Sequence, residues 1–177
     1  MSSDEQGDVE GIELGADARD FVRKGSCSME RALGVVGKRT SLLMMREAYY
    51  GTRRFDDFAA RVGITDAVTS ERLRELVASG LLERHPYREP GRRTRHEYRL
   101  TQMGVDLLPA AIALMQWGDK YLSDAGEGPV TLRHSGCGAR VRAEVRCEYG
   151  HEVSLGDITV ALNPTPPDQP SDHPTGL

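Results

Sequence analysis

Between residues 28 and 123 the apolar positions recur at helical spacing, and glycines punctuate them. Met29, Leu33 and Val36 stand four and three apart, which predicts a short helix over Ser28–Val36 that Gly37 ends. Leu42, Leu43, Met45 and Tyr49 give the next segment a wide apolar face, with Gly51 placed to close it. Phe55, Phe58 and Ala59 form the inward side of a third helix of about two turns, Phe55 to Arg61, before Gly63. A fourth follows in DAVTSERLRELVASG, with Leu73, Leu76 and Val77 as its buried stripe.

Two short helices joined by a glycine-containing turn make a helix-turn-helix pattern. After Gly80 the segments LLERHPY and HEYRL suit strands, and the Pro-Gly pair between them signals a turn. A helix-turn-helix followed at once by a hairpin is a winged helix. Thr101 then caps one long helix, TQMGVDLLPAAIALMQWGDKYLS, kinked at Pro109. Its apolar residues are too many for one stripe, so it must bury two faces. One face can lie on the winged helix, and the simplest cover for the other is a second copy of the chain.

The fold class expected is α+β, mainly α: a winged helix-turn-helix with a long C-terminal dimerisation helix and a small β-rich annex. Residues 1–20 form an acidic, disordered arm and 21–124 the winged-helix and dimerisation domain. Residues 125–162 form the annex, from the strand-like runs VTLRH, ARVRAEVRC, HEVSL and DITVAL. Residues 163–177, with five prolines in fifteen positions, form a disordered tail. No apolar run approaches the roughly 20 residues of a membrane span, and the acidic start differs from a signal peptide. A cytoplasmic protein is expected. Three cysteines do not make a disulfide framework.

Charge sharpens the picture. The chain carries a formal net charge of −4, yet residues 21–124 hold 18 Lys and Arg against 13 Asp and Glu. Four of those arginines crowd into GRRTRHEYRLT, residues 91–101, at the hairpin tip and its second strand. A basic centre between acidic flanks suits double-stranded DNA as partner.

The ordered motifs CSMERAL (Cys27–Leu33), VVGK (Val35–Lys38), RRF (Arg53–Phe55), SERLREL (Ser70–Leu76), SGLLER (Ser79–Arg84) and EYRLT (Glu97–Thr101) resemble the HxlR family of bacterial winged-helix transcriptional regulators. LLPAAIALMQWGDKYL (Leu107–Leu122) is similar to that family's terminal helix. The resemblance spans roughly Gly25 to Ser123. It implies a homodimer, paired through the first and last helices and binding a two-fold operator, with repression the expected sign. Met29, Leu33, Leu108, Ile112, Met115 and Leu122 are the interface candidates. The chain departs from the family at Arg39, where tryptophan is usual, at Thr69, where leucine is usual, and at Ala67, where lysine is common. Thr69 faces inward, so either the packing there is looser or its hydroxyl bonds the backbone one turn back.

On this reading the fourth helix lies in the major groove. Arg74 can reach guanine or phosphate, Glu71 can accept from cytosine, and Thr65 and Ser70 can meet phosphate or base. Arg92, Arg93 and Arg95 grip a minor groove or phosphates from the wing. Lys38, Arg39, Arg53 and Arg54 stand at helix starts, which favour phosphate. Cys27 precedes the first helix, with Arg23 and Lys24 upstream, the electropositive setting that reactive thiols occupy. Relatives use a cysteine there to sense oxidants or electrophiles. Oxidant sensing and simple burial at the interface therefore both stand for it, and a small-molecule effector is a further option.

In the annex, His134-x2-Cys137 and Cys147-x3-His151 stand as two knuckles, four donors of the kind that hold structural zinc. HSGCG matches the family's first knuckle. The second reads CEYGH, with Gly150 where the fourth ligand belongs and His151 one residue late. A structural zinc, a metal-free remnant and, disfavoured in cytoplasm, a Cys137–Cys147 disulfide all remain, with no certain cofactor. Glu148 or Glu152 could serve a zinc hydrolase as base, but no nucleophile accompanies them, so no enzyme is expected. A winged helix used only for protein contacts is the other alternative, and the wing arginines weigh against it.

Overall fold

A computed structural model describes residues 11–12, 27–88, 91, 93–124 and 126–161. It falls into two compact units. One is Ser28–Val145; the other comprises the flanking segments Met1–Cys27 and Arg146–Leu177, of which residues 11–12, 27 and 146–161 are described. The disordered arm and tail expected at 1–20 and 163–177 lie outside the described residues, apart from residues 11–12.

The main unit opens with α1 (Ser28–Val36) and α2 (Arg39–Tyr49). Then come α3 (Phe55–Val62) and α4 (Asp66–Ala78), the two limbs of the helix-turn-helix. Gly63 ends α3 in the left-handed region at φ 71°, where a side chain would be strained. Thr65 caps α4 by accepting the Val68 N–H. The wing is the antiparallel pair β1 (Leu82–Tyr87) and β2 (Arg95–Leu100), registered from Leu82 opposite Leu100 to Tyr87 opposite Arg95.

Where the sequence predicts one kinked helix, the structure has two, α5 (Gln102–Asp106) and α6 (Leu108–Leu122), broken at Leu107. Pro109 is the reason: it has no N–H to bond Val105, whose carbonyl takes the Leu107 N–H instead. Thr101 caps α5 as expected, accepting the Gly104 N–H at 3.1 Å while its hydroxyl donates to Gly80 O. Gly104 allows α5 to lie directly on the backbone of Leu81, for a Cβ there would sit 2.3 Å from Leu81 O.

One core ties these elements together. Met44 and Met45 from α2, Phe58 from α3, Leu73 and Leu76 from α4 and Leu82 from β1 are fully buried. The Phe58 ring meets Tyr98 of β2 edge-on at 6.3 Å, a favourable aromatic geometry that seats the wing on α3.

The β character expected after residue 125 is confined to isolated bridges, Arg133 with Arg140 and Arg146 with Glu152. Residues 126–145 belong to the main unit instead of standing apart. The Gln116 side chain explains this. Its Nε2 donates to Val141 O at 2.7 Å and its Oε1 accepts from Ala143 N at 3.0 Å, clasping that segment to α6. In the second unit a 3-10 turn, Leu155–Asp157, is closed by a reciprocal capping box between Ser154 and Asp157.

Candidate nucleic-acid interface

The outward face of α4 is built by what its inward face buries. With Leu73 and Leu76 in the core, Ala67, Ser70, Glu71, Arg74 and Ala78 are exposed. Thr69 is fully buried, and its hydroxyl donates to Thr65 O at 2.9 Å, the second of the two outcomes its place in the sequence allowed. Among the described residues Arg74 has no acidic partner, so its guanidinium is available to an incoming anion.

Glu71 is differently placed. Its Oε1 lies 2.5 Å from Nη2 of Arg72, a side chain only 9% exposed, so half of this carboxylate is already committed. Arg72 also pairs with Glu75, and Lys38 donates to Glu75 Oε1 at 2.9 Å. Lys38, expected to meet phosphate, therefore ties the start of α2 to α4. The Lys38 hydrogen bond, with help from Arg72, holds the Glu75 carboxyl below the usual glutamate range. Arg72 gave no sequence signal: an arginine between two glutamates reads as a solvated face until its burial is known.

The wing brings further cations to the start of α3. The Tyr98 N–H donates to Arg53 O at 2.8 Å, and Arg54 bridges Glu97 as a single extra strand pair. Arg54 then stacks its guanidinium 4.9 Å from the centre of the Tyr87 ring. Arg95, opposite Tyr87 in register, reaches Asp56 at 3.3 Å. Arg54, Tyr87, Arg95 and His96 thus share one hollow between wing and helix. A second hollow, of about 250 Å3, gathers Arg53, Arg54 and Arg61 with Asp57 and Glu97. Arg99 hydrogen-bonds Glu97 and, with the charge of Arg53 nearby, keeps that carboxylate ionised below its ordinary range. Neither Arg61 nor Tyr87 was singled out in the sequence: Tyr87 comes beside Arg54 only when the wing folds, and Arg61 joins the second hollow from the far end of α3.

Arg39 and Arg93 are exposed, and among the described residues neither has an acidic partner. Arg92 lies outside the described residues. Of the dimer candidates, Met29, Leu33 and Leu122 are exposed, whereas Leu108, Ile112 and Met115 line a cavity between α2 and α6. The most exposed apolar side chains of α6 are Leu122, Tyr121 and Trp117. Cys27 is a free, half-buried thiol.

In the metal candidates, His134 Nδ1 lies 3.2 Å from Cys137 Sγ. At the second knuckle the contact is through backbone, Cys147 N–H to His151 O at 3.1 Å. Among the described residues no three His, Cys, Asp or Glu side chains gather closely enough to hold a metal ion, short of the four donors a structural zinc needs. No helix among them is long and apolar enough to cross a membrane.

Known proteins share this architecture. A family model described as HxlR-like helix-turn-helix matches residues 35–125. The uncharacterized HTH-type transcriptional regulator Rv3095 of Mycobacterium tuberculosis is 44% identical over 138 residues, covering 77% of this chain and 86% of that protein. An uncharacterized HTH-type regulator of Methanothermobacter thermautotrophicus is 35% identical over 96 residues, covering 54% of this chain and 72% of its own. The crystal structure of PA1607, a candidate transcription factor, superposes with TM-score 0.71 at 31% identity, covering 81% of this chain and 99% of that one.

Proposed function

The chain belongs to the HxlR-like helix-turn-helix family, and from that premise we propose that it is a sequence-specific DNA-binding repressor acting as a homodimer on a two-fold operator. The observation that carries this reading is the wing's register. It sets Tyr87 opposite Arg95 and beneath Arg54, and so gathers cations beside the helix-turn-helix. Phosphates are held there by Arg53, Arg54, Arg93 and Arg95, while α4 presents Ser70 and Arg74 to base edges. Arg74 is the principal base reader, because Glu71 is engaged by Arg72.

The second copy covers Met29 and Leu33 of α1 together with the free side of α6. Trp117 and Tyr121 are 54% and 60% exposed there, and their rings lie 5.8 Å apart as one apolar spot suited to a partner. Cys27, a free thiol directly before α1, is the residue through which an oxidant would release DNA.

The test is a gel shift with fragments of the source genome at increasing salt, alongside light scattering. The expected result is a dimer whose log affinity falls linearly with log salt, by about 0.9 per phosphate neutralised. A monomer indifferent to DNA at low salt would overturn the reading.

A further inference from the structure

We propose that the cavity between α2 and α6 is a binding site for a small, largely apolar organic molecule. Its volume is about 590 Å3, inside the roughly 300–1,000 Å3 range of clefts that hold such ligands. Leu42 and Leu43 of α2 form one wall, and Ile112 and Met115 of α6 face them. Leu132 and Val141, on the segment that Gln116 clasps to α6, form a third. Only Arg46 and the hydroxyls of Tyr49 and Tyr50 interrupt the apolar lining.

Those polar groups define the ligand further. The Tyr49 hydroxyl already donates to Gly104 O at 2.9 Å, so it offers the cavity its ring rather than a donor. Arg46 gives Nε and Nη2 to Glu47 and keeps Nη1. The occupant is therefore an aromatic or aliphatic body carrying at most one anionic group, which Arg46 would meet.

A second copy of the chain is the competing occupant, and the helix geometry argues against it. At about 100° per residue, Leu108, Ala111, Ile112 and Met115 share one face of α6, while Trp117 and Tyr121 lie well around the helix from them. The exposed face suits a partner protein; the cavity is walled by the chain's own 132–141 segment. Because α2 also packs on α3, α4 and β2, filling the cavity would act on the helix that supports the helix-turn-helix. That regulatory role rests on the DNA-binding function proposed above; the site itself does not.

Fluorescence titration of the full chain with 1-anilinonaphthalene-8-sulfonate, an aromatic body with one sulfonate, tests the proposal. Saturation at one probe per chain is expected. Ala111→Phe, filling the cavity from α6, should weaken binding at least tenfold, and Trp117→Ala should leave it unchanged. Val141→Trp fills the cavity from the opposite wall and decides the matter if Ala111→Phe does not melt cooperatively. Loss of binding in Trp117→Ala, or full binding in a cooperatively folded cavity-filling variant, would overturn the site in favour of the exposed face. A gel shift of the wild-type protein without probe reports separately on DNA binding, so failure there leaves the titration standing.

Discussion

Lys38 Nζ lies 2.9 Å from Glu75 Oε1 and joins the start of α2 to α4, the second limb of the helix-turn-helix. Glu75 also receives the buried Arg72, so one carboxylate serves two cations. Its pKa is lowered in the folded protein, chiefly by the Lys38 hydrogen bond. Such a group adds stability that is present above the ordinary glutamate range and is lost as pH falls through the depressed value. Glu75→Gln should therefore melt below wild type at pH 7, and the gap should narrow steadily as pH drops below the glutamate range. Thermal melts of both proteins between about pH 3 and pH 7, a span that brackets the usual carboxylate range, check this. A gap independent of pH would mean that Glu75 acts through packing alone.

Thr69 is the departure from the family that the structure explains. Its hydroxyl donates to Thr65 O, but that carbonyl also takes the Thr69 N–H at 2.8 Å. Thr69→Val therefore orphans no acceptor and should cost only about 0.5–1 kcal/mol. Thr69→Leu, which restores the family's usual residue, forces a larger side chain into a fully buried place and should cost roughly 1–3 kcal/mol. Urea unfolding of the two variants gives the order; a more stable Thr69→Leu would show that the core has room there.

The helix-turn-helix and wing were legible because their signals are local. Period-3.6 apolar positions, Gly63 and a Pro-Gly turn each constrain only a few neighbouring residues. The Thr101 cap was readable for the same reason. The break at Leu107 was legible only as a kink, since whether Pro109 bends a helix or ends it depends on which partner the Val105 carbonyl finds. Placement of residues 126–145 was not legible: a lone glutamine in an apolar helix gives no hint that both ends of its amide hold another strand. The commitments of Lys38 and Glu71 were hidden likewise, because ion pairs across helices depend on tertiary distance.

Gly104→Ala should be among the more damaging single-methyl additions in the chain. The new Cβ meets the Leu81 carbonyl oxygen at 2.3 Å, and the backbone on that side is fixed by the Thr101 N–H bond to the same carbonyl. Overpacking of this kind costs roughly 1–3 kcal/mol. A lowered denaturant midpoint with the m-value unchanged is the expected signature.

Cys27→Ser separates oxidant sensing from simple packing. Wild-type protein treated with peroxide should lose operator affinity and regain it on thiol reduction, while Cys27→Ser should keep its affinity throughout. Equal losses in both proteins would place the oxidation elsewhere, at Cys137 or Cys147, both of which are exposed.

Arg74 and Arg93 should fail in different ways, because they stand on different parts of the interface. Arg74 projects from α4, where a guanidinium can make two parallel bonds to a guanine edge. Arg93 stands on the wing, where the proposed partner is phosphate, which carries no sequence information. Arg74→Ala should therefore cost about 1–3 kcal/mol on the operator and much less on unrelated DNA, so the two affinities converge. Arg93→Ala should weaken both by a similar factor and make the salt slope shallower by about 0.9 per lost phosphate contact, twice that if both wings of a dimer bind. Arg72→Met provides the control: it frees Glu71 and leaves Glu75 to Lys38 alone, and the added negative charge on α4 should weaken binding to every sequence. If Arg74→Ala instead lowers affinity uniformly and with the salt signature of a phosphate contact, α4 is not the element that reads bases, and specificity must come from the wing or from DNA shape.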